Sequence, residues 1–279
     1  MILQKKKKRR FKWKNILILL FIIFCLTFLI LSIKDVINWK LDSKKIEQQV
    51  EKIEDIVIVE EVTESENTEI IKQTDEISET DPYWDYINQS LINVNFEELK
   101  KINSNTKGWL QVNGTNINYP FVQVNDNKYY LTHSFDKSYN GTGWVFLDYR
   151  NNINELSKNT IIYAHGRLDK TMFGSLKNIL KNGWLNNTEN YIIKLSTEKE
   201  NTLWQVFSVY HIPTTSDYIK VSFNSNEEFT SWYNLLLNRS AYNFNTNVSE
   251  NDSILTLSTC YNNDEKVVLH AKLIKKETR

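Results

Sequence analysis

Outside an apolar run near the N-terminus the chain has one cysteine, Cys260, at the end of Thr256-Leu257-Ser258-Thr259-Cys260. Ile254, Thr256 and Ser258 alternate with Leu255, Leu257 and Thr259, the period-two pattern of a strand with two unlike faces. At Cys260 this strand gives way to the polar run Tyr261 to Glu265, which puts the thiol on a rim open to substrate. A lone thiol is either small core filler or, with a group that supports its thiolate, a nucleophile.

His165 is the strongest partner among the four histidines. It follows the apolar run Thr160-Ile161-Ile162-Tyr163-Ala164 and precedes Gly166, so it too is expected at a strand end. Two strand ends on one rim bring a thiol and an imidazole together for nucleophilic and acid–base chemistry. The competing reading is a surface loop histidine. His133, within Tyr130 to Phe135, and His211, two residues before Pro213, read as structural turn residues. His270 alternates with Val268 and Lys272 and reads as a sheet-face residue. With no Cys-x-x-Cys, no His-Glu-x-x-His and no Gly-rich phosphate loop, the sequence argues against a metal site, and thiol chemistry requires no cofactor.

The elements expected to position these groups are mainly strands: Trp109 to Val112, Ile117 to Val124, Lys128 to Leu131, Gly143 to Tyr149, Thr160 to Ala164, Tyr191 to Ser196, Leu203 to Tyr210, Tyr218 to Val221, Ser253 to Thr259 and Lys266 to Ile274. Many short strands between Asn- and Gly-containing turns predict a barrel or sandwich. Helices are expected over Tyr83 to Leu91 and over Phe96 to Ile102, the latter capped by Asn95, with Gly108 stopping the run. A further helix follows Ser225, where Ser225 and Glu228 form a capping-box pattern and Phe229, Trp232, Tyr233 and Leu236 share one face.

Ahead of this outer domain lie three segments. Residues 1–14 carry eight basic side chains and no acid, a positive-inside flank that predicts a cytoplasmic tail. Residues 15–34 include eighteen consecutive uncharged positions, Ile16 to Ile33, nearly the length of a helix spanning a hydrocarbon core of about 30 Å. No small-residue cleavage site follows at Ser32-Ile33-Lys34-Asp35, so this run reads as an uncleaved signal anchor and everything after it as extracellular. Cys25 lies inside the run, out of reach of Cys260. Residues 35–81 read as an acidic, largely solvated stalk in which patches such as Ile56-Val57-Ile58-Val59 could form local structure, helical earlier on, since positions 41–82 hold fourteen Asp or Glu against four Lys. Residues 82–279 are long enough for one sizeable core. A formal net charge of zero gives a nucleic-acid role no support.

The Thr-Leu-Ser-Thr-Cys run resembles the nucleophile strand of the sortases, the membrane-anchored cysteine transpeptidases of Gram-positive bacteria. Three further blocks resemble class B sortases: Gly108-Trp109-Leu110-Gln111-Val112 with Ile117-Asn118-Tyr119-Pro120; Gly143-Trp144-Val145-Phe146-Leu147-Asp148-Tyr149-Arg150-Asn151; and Tyr163-Ala164-His165-Gly166 through Met172-Phe173-Gly174-Ser175-Leu176. The likeness runs from Tyr83 to Ile274, and the helix after Ser225 resembles the class B insertion. It implies a mainly β fold: a closed eight-stranded barrel with N-terminal helices and an inserted helix, preceded by the transmembrane helix and stalk.

By the same resemblance Cys260 attacks a Thr-Gly-like bond in a C-terminal sorting signal, giving a thioester, and His165 protonates the leaving amine. The implied partners are the sorting-signal peptide of secreted surface proteins, an amine acceptor from a cell-wall precursor or pilin, and the membrane through one helix. Thr259 and Ser258, beside the nucleophile, are the candidate substrate-binding residues. The family carries an arginine before a Val-Val-like pair on the next strand, whereas Lys266-Val267-Val268 puts a lysine there. A flexible point charge does not replace a two-pronged donor conservatively. Lys266 is taken as the third catalytic position; the other outcomes are Arg150 or Arg167 reaching in, or a slow or inactive enzyme. Two other readings use the same residues: an envelope cysteine peptidase releasing product to water, and a degenerate sortase-fold binding protein.

Overall fold

The computed structural model describes residues 13–62, 65–71, 83–260 and 264–279, with the side chain of Cys260 outside that set. The elements in chain order are α1 (Trp13–Ile56), β1 (Val59–Val62), β2 (Thr68–Ile70), α2 (Tyr83–Ile87), β3 (Leu91–Val94), α3 (Glu97–Ile102), β4 (Thr106–Val112), β5 (Asn118–Val122), β6 (Phe146–Leu147), β7 (Asn159–Tyr163), α4 (Asn182–Leu185), β8 (Ile192–Thr197), β9 (Glu200–Pro213), α5 (Asn226–Arg239), β10 (Ile254–Cys260) and β11 (Glu265–Thr278). The chain divides into two compact units, one ending at Lys44 and one beginning at Lys45.

In the first unit, α1 contains an eighteen-residue window of mean hydropathy 3.3 with none of it buried, long and apolar enough to cross a membrane. In the second, the sheet runs β10-β7-β6-β5-β4-β8-β9-β11 and closes through β10–β11 pairing, so eight strands form a barrel and β2 extends it from the end of β11. Two pairings are parallel, β7 with β10 and β5 with β6, and the rest of the barrel is antiparallel. Register shifts between His270 and Ala271 and between Leu273 and Lys275 mark where the long β9–β11 ribbon bends to close.

Strand alternation divides the core in two. Leu255, Leu257, Val267, Leu269 and Ala271 fill the barrel interior. Their outward neighbours Ile254 and Val268 join Phe207 and Tyr210 under the α5 face of Phe229, Trp232, Tyr233 and Leu236. Ser225 caps α5 by accepting from Glu228 N, while the Glu228 carboxylate reaches back to Asn224 N (2.6 Å), one residue before the N-cap.

Several expected elements differ. The helix from Tyr83 stops at Ile87, and Leu91–Val94 pairs with β1 instead. Lys128 to Leu131 is not a strand: Asp126 Oδ1 accepts from Lys128 N (2.6 Å) and Tyr129 N (2.8 Å) and curls Tyr129–Leu131 into a 3₁₀ turn. Tyr218 to Val221 is irregular chain held by side chains, with Asn159 Nδ2 donating to Lys220 O (2.9 Å) and Trp232 Nε1 to Asp217 O (2.8 Å). Gly108 lies inside β4 rather than stopping a helix; a Cβ there would sit 2.5 Å from both the Phe121 ring and Ser196 O. Asn95 does serve the helix it precedes, accepting from Glu97 N (2.9 Å).

The largest correction concerns the described part of residues 35–81; positions 63–64 and 72–81 lie outside the described residues, as do 1–12 of the basic tail. The helix continues to Ile56, β1 pairs with β3, β2 pairs with β11, and the compact unit begins at Lys45 rather than at 82. Ile46, Val50, Ile53 and Val57 recur at helical spacing, and all four join the main core. Acidic composition averaged over the segment hides this stripe, because the acids occupy the other faces.

Candidate functional site

Parallel pairing of β7 with β10 is what brings the two candidate groups to one place. Ser258 is in register with Tyr163, so Cys260 and His165 each lie two residues further along neighbouring strands that run the same way. Thr259 Oγ1 donates to Ala164 O (2.7 Å) and carries the pairing past the last ladder position. On the other side of β10, Cys260 is the Cα partner of Lys266.

These strand ends form one wall of a cavity of about 680 Å³, lined by His165, Ser258, Thr259 and Lys266 together with Leu131, Phe146, Tyr163, Tyr218, Ile219 and the 214–216 segment. Four of the five predicted site residues thus share one groove, and the fifth, Cys260, is placed at its rim by backbone register, its side chain lying outside the described set. An apolar floor with a few polar groups suits an extended peptide whose main chain needs partners and whose side chains need apolar pockets.

His165 Nε2 is 2.8 Å from the Leu131 carbonyl oxygen. A carbonyl only accepts, so Nε2 carries the hydrogen and Nδ1 is the nitrogen left for proton exchange. The groove wall rests on Asp148, which is wholly buried and accepts from Arg150 Nε (2.8 Å) and Nη2 (2.7 Å), Asn127 Nδ2 (3.0 Å) and Tyr163 OH (2.9 Å). Burial pushes the Asp148 carboxyl up, but the bonds from Arg150 and Tyr163 outweigh it and hold the group below the usual carboxylate range. Burial first, and then the Asp148 charge, push the Tyr163 phenol well above its ordinary value, so its hydroxyl stays a donor.

Neither arginine considered as a substitute lines the groove. Arg150 is engaged by Asp148 and by Ile219 O (3.0 Å), and Arg167 by Asp169 (Nη2, 3.0 Å), whereas Lys266 does line it. Two groove features escape sequence reading: the Leu131 main-chain carbonyl, which has no side-chain signature, and Tyr218, whose OH lies 2.9 Å from Ser258 Oγ but whose run Tyr218-Ile219 looks like a strand. His211 and His133 do not line the groove; His133 stacks on Tyr129, with ring centroids 4.0 Å apart.

A Sortase domain family model matches residues 110–274, more than half of the chain. The chain belongs to the sortase family. Within it the likeness is to class B: Sortase B of Staphylococcus aureus is 34% identical over 191 residues, covering 67% of this chain and 78% of that relative. The S. aureus sortase B–substrate complex is 35% identical with a TM-score of 0.61, covering 64% of this chain and 84% of that one. A sortase B complexed with triglycine is 34% identical with a TM-score of 0.61, covering 64% and 85%. The eight-stranded barrel is thus a sortase barrel, and the protein is a sortase-type cysteine transpeptidase.

Proposed function

We propose that this sortase cleaves a C-terminal sorting signal through a thioester at Cys260 and transfers the new carboxyl end to an amine of the cell wall or of a pilin. In acylation the Cys260 thiolate, whose proton His165 holds on Nδ1, attacks the scissile carbonyl carbon, the C–N bond breaks, and the leaving amine takes that Nδ1 proton. In the second step the acceptor amine attacks the thioester, gives its proton back to His165, and the C–S bond breaks to restore the thiolate. Lys266, opposite Cys260 in the ladder, supplies positive charge toward the developing oxyanion. Ser258 and Thr259 line the groove in which the peptide lies.

The observation that carries this reading is the β7–β10 register, which puts the residue after Ala164 and the residue after Thr259 at one end of adjacent parallel strands. A peptide in the groove is supported by the substrate-bound relative, and an amine acceptor by the triglycine-bound one. The apolar part of α1 anchors the enzyme, with the basic residues 1–14 in the cytoplasm and the barrel outside.

The test is to incubate the full chain in detergent with Asn-Pro-x-Thr-type sorting peptides, with and without triglycine, beside Cys260→Ala and His165→Ala, and to read products by mass spectrometry. Cysteine-dependent cleavage joined to triglycine is the expected result. Cleavage that only water resolves would make the protein a peptidase, and a His165→Ala protein with full turnover would remove the acid–base assignment.

A further inference from the structure

The imidazole of His165 is oriented by a main-chain group, and the surrounding segment is built to hold that group still. In triads this orienting task usually falls to a carboxylate side chain on the ring nitrogen that does not face the nucleophile. Here the Leu131 carbonyl occupies that position, 2.8 Å from Nε2.

Residues 126–144 pass through many fixed points for so irregular a stretch. Beyond the Asp126 cap on its first turn, His133 Nδ1 hydrogen-bonds Tyr129 O (2.8 Å), Asn103 Nδ2 donates to Tyr130 OH (2.8 Å) and Phe135 O (2.6 Å), and Trp144 N donates to Tyr130 O (2.9 Å). Gly143, at φ +66°, lies directly against the carbonyls: a Cβ there would be 2.4 Å from Tyr130 O and 2.9 Å from Leu131 O. From the other side α1 reaches the same segment, where Gln49 Nε2 donates to Ser134 Oγ (3.4 Å) and Ser134 Oγ donates to Asp136 Oδ1 (2.8 Å).

We propose that Leu131 is a positioning residue of the transfer reaction, its carbonyl holding His165 as the Nε2–H tautomer so that Nδ1 exchanges the proton, and that Gly143 and the Gln49 end of α1 hold that carbonyl in place. The proposal rests on the acid–base reading of His165. It gives the part of α1 beyond Lys45 a task in catalysis as well as in folding. Fixing the tautomer this way removes the need for a side-chain orienter, and it makes the geometry of the site depend on the 126–144 backbone.

The experiment uses the full chain in detergent, an Asn-Pro-x-Thr-type peptide and triglycine, and compares wild type with Gly143→Ala, Gln49→Leu and His165→Ala. Readouts are kcat and KM separately, circular dichroism for folding, and ¹⁵N NMR of ring-labelled histidine for the tautomer. Gly143→Ala is expected to lower kcat about tenfold with KM within about twofold, while the His165 signals move from Nε2–H toward a tautomer mixture. Gln49→Leu, which keeps the size and loses the donor, should move both readouts the same way by less. A folded Gly143→Ala protein with wild-type kcat and ring signals overturns the proposal, as does a wild-type His165 found as the Nδ1–H tautomer. Should Gly143→Ala not fold, Gln49→Leu with wild-type kcat and tautomer overturns it. Full turnover by His165→Ala would instead overturn the acid–base reading itself.

Discussion

The Thr259 hydroxyl donates to the Ala164 carbonyl across 2.7 Å, tying the residue before Cys260 to the residue before His165. Any change in this distance moves Cys260 and His165 relative to each other, because each follows its tied neighbour by one peptide unit. Misplacement on the ångström scale is enough to cost rate when the chemistry depends on orientation.

Thr259→Val keeps the shape of the side chain and removes its donor, leaving the Ala164 carbonyl without this partner. The expected cost is about 1–2 kcal/mol of stability, from a buried acceptor left unpaired, with kcat falling more than KM rises. Thr259→Ser, which keeps the hydroxyl, should restore most of the rate. Urea denaturation and steady-state kinetics check both, and a Thr259→Val enzyme with unchanged kcat would mean the tie has no bearing on catalysis.

Among the described residues lining the groove Lys266 is the only Lys or Arg, and it stands opposite Cys260 in the β10–β11 ladder. Lys266→Ala should lower kcat by about 10²-fold, the usual effect of removing one oxyanion partner, while Lys266→Arg should match or exceed wild type through its two parallel donors. Single-turnover acylation, read as thioester formed per unit time, isolates the step. Undiminished acylation by Lys266→Ala would remove Lys266 from the site.

How far the sequence reveals this site depends on whether a feature is carried by side chains. The strand ends bearing Cys260 and His165 are legible because alternation is a side-chain pattern. The carbonyl of Leu131 leaves no such trace, and the Asp126 turn before it reads as strand because Tyr129, Tyr130 and Leu131 are good strand formers whose propensity loses to one capping carboxylate. Tyr218-Ile219 misleads for the same reason: the pair is apolar because it lines the groove and covers the second core, not because it pairs in a ladder. In the acidic segment the helical stripe Ile46, Val50, Ile53 and Val57 is present in the sequence but masked by net charge.

That stripe makes the N-terminal boundary of the folded unit measurable. A protein beginning at residue 82 exposes the surface that Ile46, Ile53 and Val57 cover and strips the partners from β3 and from the end of β11. With burial of one such side chain contributing about 1.5–3 kcal/mol, the shortened protein is expected to unfold at markedly lower urea than one beginning at residue 45, or to aggregate. Equal urea midpoints for the two would show that the segment only decorates the barrel.

His270 sets the acid limit of stability. It is fully buried under α5, between Tyr210 OH (Nε2, 2.8 Å) and Thr256 Oγ1 (Nδ1, 2.9 Å), and burial, with the nearby Arg239 charge second, pushes it down to about 3 from an ordinary 6.5. The unfolded chain therefore takes up this proton near pH 6.5 while the folded chain refuses it until about pH 3. The stabilisation is complete above pH 6.5 and is lost as pH falls through that window, by at most about 1.4 kcal/mol per pH unit. Urea midpoints measured from about pH 7.5 to about pH 4.5 should decline for wild type and decline less for His270→Gln, whose amide keeps a donor and an acceptor but takes up no proton. Parallel declines would assign the acid sensitivity to carboxylates such as Asp148, whose depressed titration acts in the same direction but at lower pH.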